Sequence, residues 1–221
     1  MLVPRWVVVV PVKTAAAGKT RLAGVLPETR RRALVRAMAL DTVAAAVAAP
    51  GVVRVLVVTA DGPVRDGLPA GAEPVAEPPA LVMRGDAPEP GLDAAVLAGA
   101  AAAVALDAEA GVAVLLGDLP ALRPGDLAAA LDLAAPHDRA VVADADGTGT
   151  TLLTVAPGVV VRPRFGTGSA AAHEALGHVR LDLPVTSSLR RDVDLPADLA
   201  SAAREAGPRT RAVLGSAERP G

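Results

Sequence analysis

Three cations, Lys13, Lys19 and Arg21, fall within one short stretch after an apolar run, while candidate acids stand far away at Asp118, Asp192 and Asp194. Lys13 and Lys19 are the only lysines in the chain; every other basic residue is an arginine. Between the cations lie Ala15-Ala16-Ala17-Gly18, small residues that let backbone N–H groups approach an anion closely. A solvated basic turn is the plainer reading of the same residues. Gly18-Lys19-Thr20 suggests a P-loop, but that motif requires glycine five positions earlier, where Lys13 stands. What remains is an anion-binding loop at a strand end. Asp192 and Asp194, two residues apart, project to one side of an extended segment. Carboxylates set beside cations suit Mg2+, which is commonly held by one or two carboxylates together with substrate phosphates. Taken singly, Asp118 could be a turn-former, and Asp192 or Asp194 a helix cap.

The elements that must hold these residues are strands alternating with helices. Val7-Val8-Val9-Val10-Pro11-Val12 has no polar alternation and reads as a strand buried on both faces. Further strands are expected at 52–59, 72–75, 81–83, 111–116, 140–143, 151–155 and 179–183. Helices are expected from Pro27-Glu28 to Pro50-Gly51, over 92–108, from Pro124, over 169–176 and over 196–206. Such alternation predicts an α/β domain with a mostly parallel central sheet and helices on both faces. In open sheets of this kind ligands bind beyond the carboxyl ends of the strands. Both Lys13 and Gly117-Asp118 stand at such ends. The sequence predicts a single domain over residues 1–207, with a frayed Arg/Pro/Gly-rich tail over 208–221.

Composition narrows the function. At 221 residues with a formal charge of −2, and with Trp6 and Phe165 as its only aromatics, the chain lacks the basic surface and stacking platforms of a nucleic-acid binder. It has no cysteine, so disulfides, thiolate metal sites and thiol nucleophiles are excluded. The longest apolar run, Ala94 to Leu106, is too short to span a bilayer, and the N-terminal run lacks a cleavage-like site. A soluble cytoplasmic protein is expected, with no nucleic-acid or membrane partner.

Five motifs in order carry a family resemblance: Val10-Pro11-Val12-Lys13 with Gly18-Lys19-Thr20-Arg21-Leu22; Gly117-Asp118-Leu119-Pro120-Ala121-Leu122; Asp146-Gly147-Thr148-Gly149-Thr150-Thr151; Phe165-Gly166-Thr167-Gly168-Ser169 with His173; and Asp192-Val193-Asp194-Leu195-Pro196. Together they resemble the 2-phospho-L-lactate guanylyltransferase family, and most closely its actinobacterial branch, the phosphoenolpyruvate guanylyltransferases. The resemblance implies a Rossmann-like nucleotidyltransferase fold of the molybdenum-cofactor guanylyltransferase type. It implies condensation of GTP with phosphoenolpyruvate, or with 2-phospho-L-lactate, releasing pyrophosphate, for the side chain of coenzyme F-420. On that view Lys13, Lys19 and Arg21 hold the β- and γ-phosphates, and Asp118, Asp192 and Asp194 hold Mg2+. Thr151, Gly166 and Ser169 then bind the acceptor acid.

Transfer of a guanylyl group to an ionised acceptor phosphate demands positioning and charge neutralisation but no general base, which accords with the lack of a convincing His/Ser or Cys/His pair. For Ser169 a helix cap is an equal alternative, and for Thr151 a buried strand position. Arg162 and Arg164 flank the acceptor loop as carboxylate ligands or edge residues. His173 has core or capping duty open to it as well as catalysis, and His137 and His178 read as surface residues. The family commonly has Gly-Leu-Asn before its third helix; here Gly91-Leu92-Asp93 stands instead. Asp93 could accept from guanine N1–H and its exocyclic amine, or cap the helix. Competing readings are a nucleotidyltransferase acting on molybdopterin or a sugar phosphate, and a nucleotide-binding protein without catalysis. A labile guanosine-diphospho product suggests handover to the next transferase of the F-420 pathway, and the Ala-rich helix faces offer a surface for a second copy.

Overall fold

The computed structural model describes residues 4–13, 26–78, 91–193, 198–199 and 204–215. Its centre is a seven-stranded sheet in the order β3-β2-β1-β4-β6-β5-β7. The strands are β1 (Trp6–Pro11), β2 (Val52–Val58), β3 (Ala72–Val75), β4 (Gly111–Leu115), β5 (Arg139–Ala143), β6 (Thr150–Val155) and β7 (Val179–Arg180). β1 pairs parallel with both β2 and β4, and β5 with β7. Only β6 runs antiparallel, against β4 and β5. The sheet is mostly parallel, as expected, and the strand ends of β1, β4 and β5 share an edge with the beginning of β6.

The valine runs behave as their composition requires. Val8 and Val10 face one core together with α1 (Glu28–Val47) and α4 (Pro124–Ala134), whereas Val7 and Val9 face a second core with α3 (Gly91–Leu106). The sheet is thus covered on both faces, and apolar residues at every position along β1 are all buried. Gly99 lets α3 lie almost on the strands: a Cβ there would meet Val9 and stand 2.8 Å from Val58 Cγ2.

Several boundaries shift, and one element is new. A short helix α2 (Gly62–Asp66), capped by the Asp61 carboxylate accepting from the Val64 amide, follows β2 where no helix was expected. β7 is two residues long rather than five. Residues 204–206 form a turn, not the end of a helix, and the expected frayed tail contains helix α6 (Pro208–Gly215). That helix is held from outside its own sequence. Asp41 on α1 accepts from the Arg209 and Thr210 amides at 3.2 and 2.7 Å, and Arg30 donates to the Val213 and Leu214 carbonyls. An anion at the helix start and a cation at its end complement the macrodipole. The expected strand at 81–83 lies outside the described residues. No helix among the described residues is long and apolar enough to cross a membrane.

Candidate active site

Lys13 is the second residue beyond β1 and Asp118 the third beyond β4, on neighbouring strands. Both line one cleft of about 180 Å³, with Pro11, Gly117, Leu92 and, from α1, Met38. That volume is below the roughly 300–1,000 Å³ of sites enclosing a drug-sized ligand. Lys13 crosses the cleft towards α3: a Cβ at Gly91, the first helical residue, would lie 3.7 Å from its Nζ. A lysine and a helix N-terminus both favour negative charge between them.

The turn carrying Asp118 is tied down from three distant segments. From α1, the Thr42 hydroxyl donates to the Met38 carbonyl at 2.9 Å and accepts from the Leu119 amide at 3.2 Å. The Val193 amide donates to the Asp118 carbonyl at 3.1 Å, and the Gly207 amide to the Pro120 carbonyl at 2.8 Å. The Val193 bond brings the Asp192 segment beside Asp118 over a long sequence separation. Val193 is itself fully buried against Leu34, Met38 and Ala121.

The approach to Asp192 is braced as well. A 3-10 turn, Ser188–Arg190, docks on α4 through Asp126, which accepts from the Ser188 amide at 2.7 Å and from its hydroxyl at 2.6 Å. Burial alone would raise the Asp126 carboxyl, but the Ser188 bonds and Arg123 outweigh it and leave the group below its usual range. Arg190 then donates to the Asp144 carbonyl at 3.0 Å, joining this segment to the end of β5. Lys19, Arg21 and Asp194 lie outside the described residues. Among the described residues no group of three or more acidic or histidine side chains forms a cage by itself.

The acceptor candidates gather at the same edge because β6 is antiparallel. The Leu116 amide donates to the Thr151 carbonyl at 3.0 Å, so the start of β6 abuts the turn that leads to Asp118. Thr151 is fully buried. Gly166 and Gly168 take left-handed backbone with φ of 121° and 73°, which shapes an exposed turn before α5 (Ser169–Ala175). Gly168, not Ser169, is the N-cap; Ser169 is the first helical residue and is buried. The Ala170 amide donates to the Thr148 carbonyl at 3.0 Å, closing the helix start onto the 144–150 loop.

His173 is wholly buried beneath this loop. Its Nε2 accepts from the Arg164 amide at 2.9 Å, which fixes the ring proton on Nδ1, where Thr150 Oγ1 lies 3.0 Å away as acceptor. Burial, reinforced by His178, pushes its pKa down to about 4. His178 is buried too, against the surface expectation. Its Nδ1 bonds the His173 carbonyl at 3.0 Å, and burial lowers its pKa in turn. Asp93 is the third residue of α3 rather than its cap, and its Oδ1 accepts from the Phe165 amide at 3.1 Å. His173 stood in a motif with core or capping duty open to it, and the structure gives it a core place; its partner His178 and Thr42 had no signal in spacing or charge, and only the three-dimensional bonds reveal them.

A family profile described as "Guanylyl transferase CofC like" matches residues 6–200. The chain is 54% identical to a phosphoenolpyruvate guanylyltransferase of Sanguibacter keddieii, over 95% of this chain and 84% of that protein. It is 49% identical to a phosphoenolpyruvate guanylyltransferase of Salinispora arenicola, over 96% of this chain and 94% of that protein. Among solved structures, a candidate nucleotide-diphospho-sugar transferase from Desulfovibrio desulfuricans G20 superposes with a TM-score of 0.64. It shares 18% identity and covers 96% of this chain and 95% of that one.

Proposed function

The chain belongs to the CofC-like guanylyl transferase family, and from that membership and the cleft we propose that it condenses GTP with phosphoenolpyruvate, releasing pyrophosphate. The observation that carries this reading is Lys13 and Asp118 lining one cleft at the tips of adjacent strands, with the Asp192 segment bonded to the Asp118 backbone. The relatives' names point to phosphoenolpyruvate as acceptor in preference to 2-phospho-L-lactate.

In the reaction an oxygen of the acceptor phosphate attacks the α-phosphorus of GTP, and the bond from that phosphorus to the β-bridging oxygen breaks. Lys13, with Lys19 and Arg21, neutralises the β- and γ-phosphates as pyrophosphate departs. The N-terminus of α3 adds its partial positive charge near Lys13. Thr151, Gly166 and Ser169 hold the acceptor in line, with Arg162 and Arg164 near enough in sequence to meet its carboxylate. The acceptor phosphate is already ionised at neutral pH, so no side chain has to remove a proton. His173, held neutral, serves the architecture instead.

Asp118 and Asp192 are hard oxygen donors on segments joined by a backbone hydrogen bond, and with Asp194 they fit a Mg2+ ion. When bound, Mg2+ would neutralise charge shared between nucleotide and acceptor phosphates. Asp93 is the sequence-derived candidate for reading guanine. A cytoplasmic location, a homodimer and handover of product to the next F-420 transferase belong to the same reading.

Purified protein incubated with Mg2+, GTP and each candidate acid, with pyrophosphate assayed, tests the proposal. Release with phosphoenolpyruvate above that with 2-phospho-L-lactate supports it. The reverse order would reassign the acceptor, and no release with any acid would leave a binding protein only.

A further inference from the structure

Two consecutive amides in the 162–169 loop are pinned from opposite sides. Arg164 N–H bonds His173 Nε2 at 2.9 Å, and Phe165 N–H bonds Asp93 Oδ1 at 3.1 Å. One bond reaches α5 and the other reaches α3. The His173 ring also bonds Thr150 Oγ1 at 3.0 Å and meets the Phe165 ring edge-on, with centroids 5.0 Å apart. One buried imidazole thus links the start of β6 to the loop before α5, the two segments that carry Thr151, Gly166 and Ser169. Asp93 sits two residues along α3 from Gly91, against which Lys13 lies.

We propose that Asp93 and His173 are positioning residues that clamp the acceptor loop through the Arg164 and Phe165 amides, so that Asp93 sets acceptor affinity rather than guanine choice. The inference rests on the acceptor-site reading above. Residues 166–168 are exposed and two of them are glycines in left-handed backbone; the Ser169 amide on the Gly166 carbonyl at 3.1 Å fastens the helix end of that turn, and the clamp fastens the end before it. A carboxylate reading guanine would turn both oxygens to N1–H and the exocyclic amine; the bond that Asp93 makes in this structure points one oxygen at the Phe165 amide instead. The His173 ring fills its part only as a neutral tautomer, since a protonated Nε2 could not accept from Arg164 N–H. Burial keeps it in that form.

The deciding experiment is steady-state kinetics of Asp93→Ala and Asp93→Asn with GTP, ATP and phosphoenolpyruvate, alongside hydrogen exchange at the Arg164 and Phe165 amides. Asp93→Ala is expected to raise the phosphoenolpyruvate KM about tenfold, in line with loss of a charge-assisted bond, while the GTP KM and the GTP-to-ATP ratio stay within about twofold. Asp93→Asn keeps an acceptor oxygen and recovers most of the lost acceptor affinity. His173→Gln, which restores an acceptor near the Nε2 position, is expected to outperform His173→Phe in the same KM. A collapse of the GTP-to-ATP ratio in either Asp93 variant, with the acceptor KM unmoved, would overturn the clamp and install Asp93 as the base reader. Exchange keeps the two ideas separable. Faster Arg164 and Phe165 exchange in Asp93→Ala supports the clamp even if the wild-type chain releases no pyrophosphate, and unchanged exchange sinks the clamp even if the enzyme is active.

Discussion

Thr42 offers the sharpest test of how the turn carrying Asp118 is built, because its one hydroxyl ties that turn to α1. It accepts from the Leu119 amide at 3.2 Å and donates to the Met38 carbonyl at 2.9 Å, with no exposure to solvent. Thr42→Val keeps shape and volume but removes the acceptor, leaving a buried amide next to Asp118 without a partner. Such a loss costs about 1–3 kcal/mol, or roughly 2–12 °C in Tm for a chain of this length. Met38 suffers less, since its carbonyl retains the ordinary helix bond. Loosening a group behind a metal ligand commonly costs about 10–100-fold in metal affinity or activity, so the Mg2+ concentration for half-maximal pyrophosphate release should rise by at least that lower factor. Thr42→Ser is the counterpart: it preserves the bond and deletes one methyl, worth about 1 kcal/mol of packing, with the Mg2+ dependence close to wild type. Thermal melts and Mg2+ titrations on the two variants separate the effects. Equal Mg2+ dependence in Thr42→Val and wild type, or a larger shift in Thr42→Ser, would refute the idea that this hydroxyl positions Asp118.

Other expectations follow from buried groups. His173 has a folded pKa of about 4 against about 6.5 when unfolded. The unfolded chain therefore binds the extra proton first, and stability should hold above pH 6.5 and fall by up to about 3 kcal/mol as pH drops to 4. Urea midpoints from pH 7 to 4 should show this slope, reduced in His173→Gln; equal slopes would remove His173 as its source. Asp41→Ala strips the acceptor from the Arg209 and Thr210 amides at the start of α6. It should cost about 0.5–2 kcal/mol, and limited proteolysis should cut first near residues 204–215. Gly99→Ala forces a Cβ onto Val9 and Val58, and should lower stability by about 1–3 kcal/mol through overpacking; an unchanged Tm would mean that α3 can lift off the sheet freely.

Much of the scaffold was legible because its signals are local. Continuous valine runs announced strands covered on both faces, and Pro124 and Pro27 marked helix starts that the structure keeps. The sheet edge bearing Lys13 and Asp118 followed from strand ends alone. What stayed hidden depends on partners far apart in sequence. β6 has the same composition whether it runs parallel or antiparallel, and its direction is decided by pairing with β4 and β5. Helix α6 looked like a loose tail because its caps are Asp41 and Arg30 on α1, not residues of its own segment. His178 looked like surface because nothing in Gly177-His178-Val179 signals that His173 lies above it.

The antiparallel strand also suits the proposed reaction, in which one cleft would serve two substrates. In an all-parallel sheet every strand presents its carboxyl end at the site, and each such end passes directly into a loop and a helix. Here β1 and β4 do so, bringing Lys13 and Asp118 to one cleft. β6 arrives from the opposite direction and presents its first residues, Thr150 and Thr151, at the same edge. On the proposed reading the acceptor wall would be assembled from a strand start and the loop before α5, braced by the His173 ring, apart from the strand ends that carry Lys13 and Asp118. Two ligands of like charge need separate walls and a shared strip of cationic and acidic groups between them. Reversing one strand brings the start of β6 against the turn that leads to Asp118 through the backbone bond between Leu116 and Thr151, so the two proposed walls would meet there.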